Sequence, residues 1–290
     1  MSAIAIATSP APRGNSTSDS LVIEIGGVAV SICSRHEAFL ELLRARYAGF
    51  IFPAASPQAS FEVEIHEPAL PSPIEGRDED LEVALRQGVW EFRRGDFHAT
   101  WDPVSSLGHI TQTCNPFSID SVLRILHSVL LAPRGGLLIH AASAIRHGKA
   151  FLFAGISGAG KTTISRLAPR DATLLTDEIS YVRRNEVGSG QNAYRAWGTP
   201  FAGELAKSGE NVSAPLSVIY LLEQGKENRV MPTAKIDAVR SLMRHVLFFA
   251  EDTRLVEGVF DSVRLLVDMV PVRTLMFRPE ADVWEIIGSI

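Results

Sequence analysis

Gly155-Ile156-Ser157-Gly158-Ala159-Gly160-Lys161-Thr162 reads G-x-x-x-x-G-K-T, the signature of a loop that wraps nucleotide phosphates. Its flanks suit it: the apolar run 150–154 is expected to be a strand, and 162–167 a helix, the order such a loop needs. Glycines lack a Cβ, so the backbone can turn its N–H groups inward around anionic oxygens. A helix opening at Lys161 aims unpaired N–H groups and its positive dipole end at the same anion. Gly155, Ser157, Gly158, Ala159 and Gly160 are then the cradle. Lys161 supplies a mobile positive charge near the β- and γ-phosphates, and Thr162 or Thr163 a hydroxyl for Mg²⁺.

Sixteen residues after Lys161 stand Asp177 and Glu178. A short helix and one returning strand fit that interval and bring the carboxylates back to the phosphate end. Phosphoryl transfer needs an acid to hold Mg²⁺ and often another to orient or deprotonate the nucleophile. Consecutive residues of a regular strand face opposite ways, so the two acids share a site only if the strand bends there. His140 sits in the apolar run 136–143. A histidine in such a run is more often a core residue, but its strand is expected to hairpin with the one feeding the loop, beside the phosphates or the acidic pair. Residues 199–204 form a turn in which Gly203 allows close backbone approach and Glu204 can reach a metal or acceptor. A purely structural turn fits the same residues.

The remainder of the chain sets the frame. Its 290 residues are 46% hydrophobic and 21% charged, ordinary for a globular protein, with room for two domains or one domain and a module. A net charge of −5 without a basic stripe argues against nucleic acid as a partner. Cys33 and Cys114 make no metal-ligand pattern, and so sparse a cysteine content fits a reduced, cytoplasmic setting. No segment is long and apolar enough to span a membrane. Residues 1–20 lack a signal peptide's features and have the composition of a disordered tail.

Residues 21–117 are expected to form a small α+β module. It has a hairpin over 21–32 turning on Gly26-Gly27, a helix over 37–47, a strand at 61–65, a loop at 68–80 and a hairpin over 88–101. Trp90, Phe92, Phe97, Ala99 and Trp101 would give that last hairpin its apolar face. The main domain, 118–290, begins with a helix over 119–131 that Ser118 can cap. Strands follow at 137–144, 149–154, 172–175, 179–184, 216–222 and 272–277, with a Gly/Ser loop at 187–192. Helices are expected over 233–249, 253–269 and 281–287. Mixed strands and helices imply an α/β or α+β domain built on a nucleotide-binding sheet, with α/β the class expected.

From His140 through the glycine-rich loop to Asp177-Glu178 the chain resembles the catalytic domain of HPr serine kinase/phosphorylase and its relatives. There a histidine ends the strand before the loop hairpin, the loop reads G-x-S-G-x-G-K-[ST], and two aspartates follow a short helix later. The resemblance covers roughly 136–290. It is closest to HPr-kinase-related proteins of peptide-modification gene clusters, including kinases of lasso-peptide precursors, and extends to residues 199–204 and 272–279. It implies the fold shared with phosphoenolpyruvate carboxykinase, a phosphate loop on a strongly bent sheet. It further implies ATP and Mg²⁺ held by Lys161 and Thr162, with Asp177 as general base supported by His140, and a peptide or small-protein serine as acceptor. Homo-oligomers are common in that family. The chain departs from it in carrying Glu178 in place of the second aspartate and in lacking the Glu-Arg-Gly segment tied to dephosphorylation. The residues thus point to a Mg²⁺- and ATP-dependent hydroxyl kinase in which Asp177 or Glu178, with Thr162, holds the metal. A nucleotide-binding regulatory module without transfer activity, and a kinase of a free small molecule such as serine, remain open beside it.

Overall fold

The computed structural model describes residues 19–66, 81–185 and 194–288. The loops expected at 68–80 and 187–192 lie outside the described residues, as does the tail apart from residues 19 and 20, which open the first strand.

β1 (Asp19–Ile25) and β2 (Val28–Ser34) form the expected antiparallel hairpin on Gly26 and Gly27, whose φ angles are 61° and 75°. α1 (Glu37–Arg46) follows, capped by His36 Nδ1, which accepts from the Phe39 N–H. Then come β3 (Ala59–Ile65), β4 (Glu82–Arg86), β5 (Val89–Arg94), β6 (Phe97–Asp102) and β7 (Leu107–Gln112). The sheet order is β1-β2-β3-β7-β6-β5-β4, with β3 parallel to both neighbours. β4 and β7 were not foreseen. β4 buries only Val83, and β7 carries Gly108, a residue that weakens strands. A Cβ at Gly108 would stand 2.4 Å from the Phe61 ring, so a larger residue has no space there.

α2 (Pro116–Leu131) begins earlier than expected. Asn115, not Ser118, caps it by accepting from the Phe117 N–H at 3.0 Å, which suits a first turn opened by proline. Ser118 instead donates to Asp96. The buried face of α2 (Ile119, Val122, Leu123, Ile125, Leu126, Val129) packs into the core of the first sheet, and Leu138, Ile179, Tyr181 and Phe201 of the following half join that core.

The second sheet contains β8 (Leu137–Arg146), β9 (Lys149–Ala154), β10 (Ala172–Thr176), β11 (Ile179–Arg184), β12 (Tyr194–Trp197), β13 (Ser213–Gln224), β14 (Arg229–Pro232) and β15 (Val272–Phe277). α3 (Lys161–Arg166) follows β9, and α4 (Lys235–Met243) and α5 (Thr253–Met269) precede β15. The short α6 (Val283–Ile286) replaces the longer helix expected over 281–287. β9, β13 and β15 run parallel. β8 pairs with β9 and β11, β11 with β12, β12 with β13, and β13 with β9, so five strands close into a ring.

The helix expected over 233–249 stops at Met243. The edge of β8 beyond the end of β9 has peptide groups that need partners, and residues 245–247 supply them. The His140 N–H donates to the His245 carbonyl at 2.7 Å, Leu247 donates to Leu138 at 2.8 Å, and Val246 bridges to Ile139. Among the described residues no helix is long and apolar enough to cross a membrane.

Candidate functional site

β9 delivers the glycine-rich loop beside β13, with Ala154 opposite Leu221. Gly158 and Gly160 have φ of 79° and 109°, angles that disfavour any residue with a Cβ. At Gly160 a Cβ would also stand 2.6 Å from the Phe277 ring, and at Gly155 2.7 Å from Ala159. The Gln224 amide holds the loop from outside by donating to the Gly158 carbonyl at 2.7 Å. Gly160 occupies the cap position of α3 and brings no capping side chain to its first turn. The Trp284 indole donates to the Ile164 carbonyl at 3.0 Å and ties α3 to the C-terminal turn. Lys161 is buried and folded onto its own loop, its Nζ donating to the Gly155 carbonyl at 2.8 Å. Burial lowers the pKa of its ammonium, while Glu178 and Glu204 raise it.

The acidic pair stands where the strand breaks. β10 and β11 run along the same edge of β8, with Thr176 opposite Ser143 and Ile179 opposite His140. Between them the Thr176 hydroxyl accepts from the N–H groups of Glu178 at 3.1 Å and Ile179 at 3.2 Å. This local side-chain turn takes two peptide groups out of regular pairing. Strand alternation is suspended there, and Asp177 and Glu178 line one cavity.

That cavity, of about 370 Å³, is lined by His140, by Ser157, Gly158, Gly160, Lys161, Thr162 and Thr163 of the loop and α3, by the two acids, and by residues 202–204. Gly155 and Ala159 lie behind the lining: Gly155 receives the Lys161 ammonium, and the two residues pack on each other. Asp177 is buried, and each of its carboxylate oxygens accepts a backbone N–H at 2.9 Å, one from Gly203 and one from Leu205. Residues 199–204 therefore do more than turn the chain; they seat the first acid. Glu178 accepts no side-chain hydrogen bond from the described residues. Burial raises its pKa first; the charge of Arg124 lowers it, Asp177 raises it and Lys161 lowers it.

His140 is pushed down to about 4, by burial first and then by the charges of Lys161, His245 and Arg124. It is a neutral imidazole at pH 7. His245 and Arg124 were not singled out from the sequence. His245 comes from the irregular segment behind α4, and Arg124 occupies an unremarkable polar position of α2. Only the fold lays the Arg124 guanidinium over the Phe201 ring, 5.0 Å from its centroid.

The molecule is thus a mixed α/β protein whose glycine-rich loop, buried lysine and acidic pair open onto one cavity. Residues 109–287 match the family described as ScmC, SynChlorMet cassette protein ScmC; that is more than half of the chain, and the chain belongs to this family. Comparison with curated proteins gives no match.

Proposed function

We propose that this protein is a kinase of the HPr-kinase type, transferring the γ-phosphoryl group of ATP to a hydroxyl, on a phosphate-loop fold like that of phosphoenolpyruvate carboxykinase. The observation that carries this reading is the meeting of the loop, Lys161, both acids and His140 on one cavity of about 370 Å³, within the size range of small-molecule sites. The loop glycines and the first turn of α3 would hold the phosphates, and Lys161 would exchange the Gly155 carbonyl for a phosphate oxygen.

A magnesium ion suits this donor set. Asp177, Glu178 and Glu204 face one ammonium, so the cavity is short of positive charge. Among the described residues no three His, Cys, Asp or Glu side chains converge to hold an ion by themselves. Mg²⁺ commonly uses only one or two carboxylates besides phosphate and water. Thr162 and Glu178, with Asp177 beside them, are the residues to hold it, and bound there it would neutralise charge on the phosphates. Asp177, fixed by Gly203 and Leu205, would take the proton of the acceptor hydroxyl as that oxygen bonds to phosphorus and the bond to the leaving ADP oxygen breaks. Neutral His140 adds no competing positive charge and is free to hydrogen-bond in the same cavity. The acceptor in this proposal is a serine of a peptide or small protein.

One observation favours a second reading, a nucleotide-binding module without transfer. Both Asp177 oxygens already accept backbone N–H groups, as a structural carboxylate's would. Transfer of ³²P from labelled ATP to serine-containing peptides separates the two. Asp177→Asn is expected to keep MgATP binding and lower transfer by at least about 100-fold, and Lys161→Ala to lose both. Undiminished transfer by Asp177→Asn would remove Asp177 as the base. ATP binding that depends on Lys161, with no transfer by the wild type, would favour the second reading.

A further inference from the structure

Behind His140 and Glu178 lies a second, smaller cavity of about 120 Å³. The same two residues line both cavities, so the two adjoin. Its other walls include Arg124, Leu247 and Phe249. It is well below the size of a nucleotide site.

Arg124 is the unusual member. Its Nε is shielded from solvent and has no hydrogen-bond partner among the described residues. Its guanidinium carbon lies over the Phe201 ring, and its N–H fork pairs with no carboxylate or carbonyl among the described residues. Arginine donates five N–H groups in a plane, an arrangement that fits a carboxylate held by two parallel bonds. Glu178 lies close enough for the two charges to influence each other, yet they make no ion pair. A guanidinium with an open fork, in a small recess of mixed lining that Ser121 and His140 share with apolar residues and that Glu178 borders, has the character of a subsite for an anion.

We propose that Arg124 and this recess bind a carboxylate of the phosphoryl acceptor, so that the acceptor is a hydroxyl compound with a carboxylate a few atoms from the reacting oxygen. The inference rests on the transfer reading above for the word acceptor, but the subsite itself can be tested without transfer. The carboxylate could belong to a free hydroxy amino acid, to a chain terminus or to an acidic residue beside a serine. Three probes separate these sources, each set against its neutral amide: free L-serine against L-serinamide; a peptide ending in serine with a free or amidated terminus; and an amidated peptide with Ser-Asp or Ser-Asn.

Each probe is titrated calorimetrically against the full chain with Mg²⁺ and a non-hydrolysable ATP analogue, and assayed for ³²P transfer with ATP. Wild-type protein is expected to favour at least one carboxylate probe over its amide by about 10-fold or more, in affinity and in KM. Arg124→Gln is expected to abolish that preference while retaining MgATP affinity, and Arg124→Lys to restore part of it. Equal handling of every carboxylate and its amide by the wild type overturns the proposal, and this comparison needs no variant. A preference that survives in Arg124→Gln also overturns it, as does failure of every carboxylate probe to bind. Arg124-dependent carboxylate binding without transfer leaves the subsite standing and removes the kinase. Transfer without carboxylate preference does the reverse.

Discussion

At the scale of single residues, Thr176 and Gly203 decide what the acidic pair can do. The sequence allowed Asp177 and Glu178 to share a site only if the strand bent, and the Thr176 hydroxyl makes that bend by accepting from the N–H groups of Glu178 and Ile179. Threonine is a good strand former, so nothing in its identity announces the turn. Gly203 is read more easily as a residue that lets backbone come close. A Cβ there would stand 2.9 Å from both Asp177 Oδ2 and Glu178 Oε2. Gly203→Ala is therefore expected to push the 203–205 backbone off Asp177 and destabilise the protein by about 1–3 kcal/mol, measured by urea denaturation. Unchanged stability would show that the loop moves freely and does not seat the acid. The glycine-rich loop itself was fully legible, because its constraints are local. Arg124 and His245 were not, because their importance arises only from distant segments meeting.

Among the elements, α1 and α2 are joined by a buried polar cluster. Asp120 of α2 accepts from the Arg46 guanidinium and from the Tyr47 hydroxyl, and Arg46 also lies 4.5 Å from the Phe117 ring centroid. Burial raises the Tyr47 pKa, and the Asp120 charge raises it further. Removing one partner of such a set leaves the others desolvated and unpaired. Asp120→Ala is expected to cost about 2–3 kcal/mol in chemical denaturation; a loss below about 0.5 kcal/mol would mean that water replaces the carboxylate. The long helix α5 was read to its limits from its helical spacing, and β15 from its apolar-rich run. The strands missed were β4 and β7, which bury little or carry a glycine, and two very short ones. β12 and β14 have four residues each, too few for a pattern to show, and they exist because neighbouring strands need partners. The helix expected over 233–249 failed for the same reason at residue 245, where pairing with β8 displaces the helical turn.

For the molecule as a whole, two buried histidines, His127 and His245, and half-buried His140 set the response to acid. His127 is pushed down to about 3 and His140 to about 4, each by burial first, and burial also lowers His245. In the unfolded chain all three would take up protons near pH 6.5. Between that value and the folded values the unfolded state binds more protons, so stability falls as pH falls through the window. For fully buried His127 the slope reaches about 1.4 kcal/mol per pH unit. Glu178, raised by burial, works in the opposite sense near its own titration. The melting temperature is expected to hold from pH 8 to 7 and drop from 6.5 to 4.5, with a shallower drop in His127→Gln. A flat profile over the lower range would mean that these imidazoles titrate normally in the folded protein.

The closed ring of β8, β11, β12, β13 and β9 also has a consequence in time. β9, which delivers the glycine-rich loop, finds its parallel partner only at residues 216–221 of β13, and such distant pairings form slowly. The strands and helices up to residue 131 hold most of the first apolar core and can gather around it before residues 138, 179, 181 and 201 complete it. The prediction is that the N-terminal sheet is already native-like while the cavity is still unformed. Hydrogen exchange pulsed during refolding should then protect the amides of β5 and β6 before those of β9, and simultaneous protection would show that the chain folds as one unit. During synthesis, the loop at residues 155–160 would wait unassembled until the chain had grown well past residue 221.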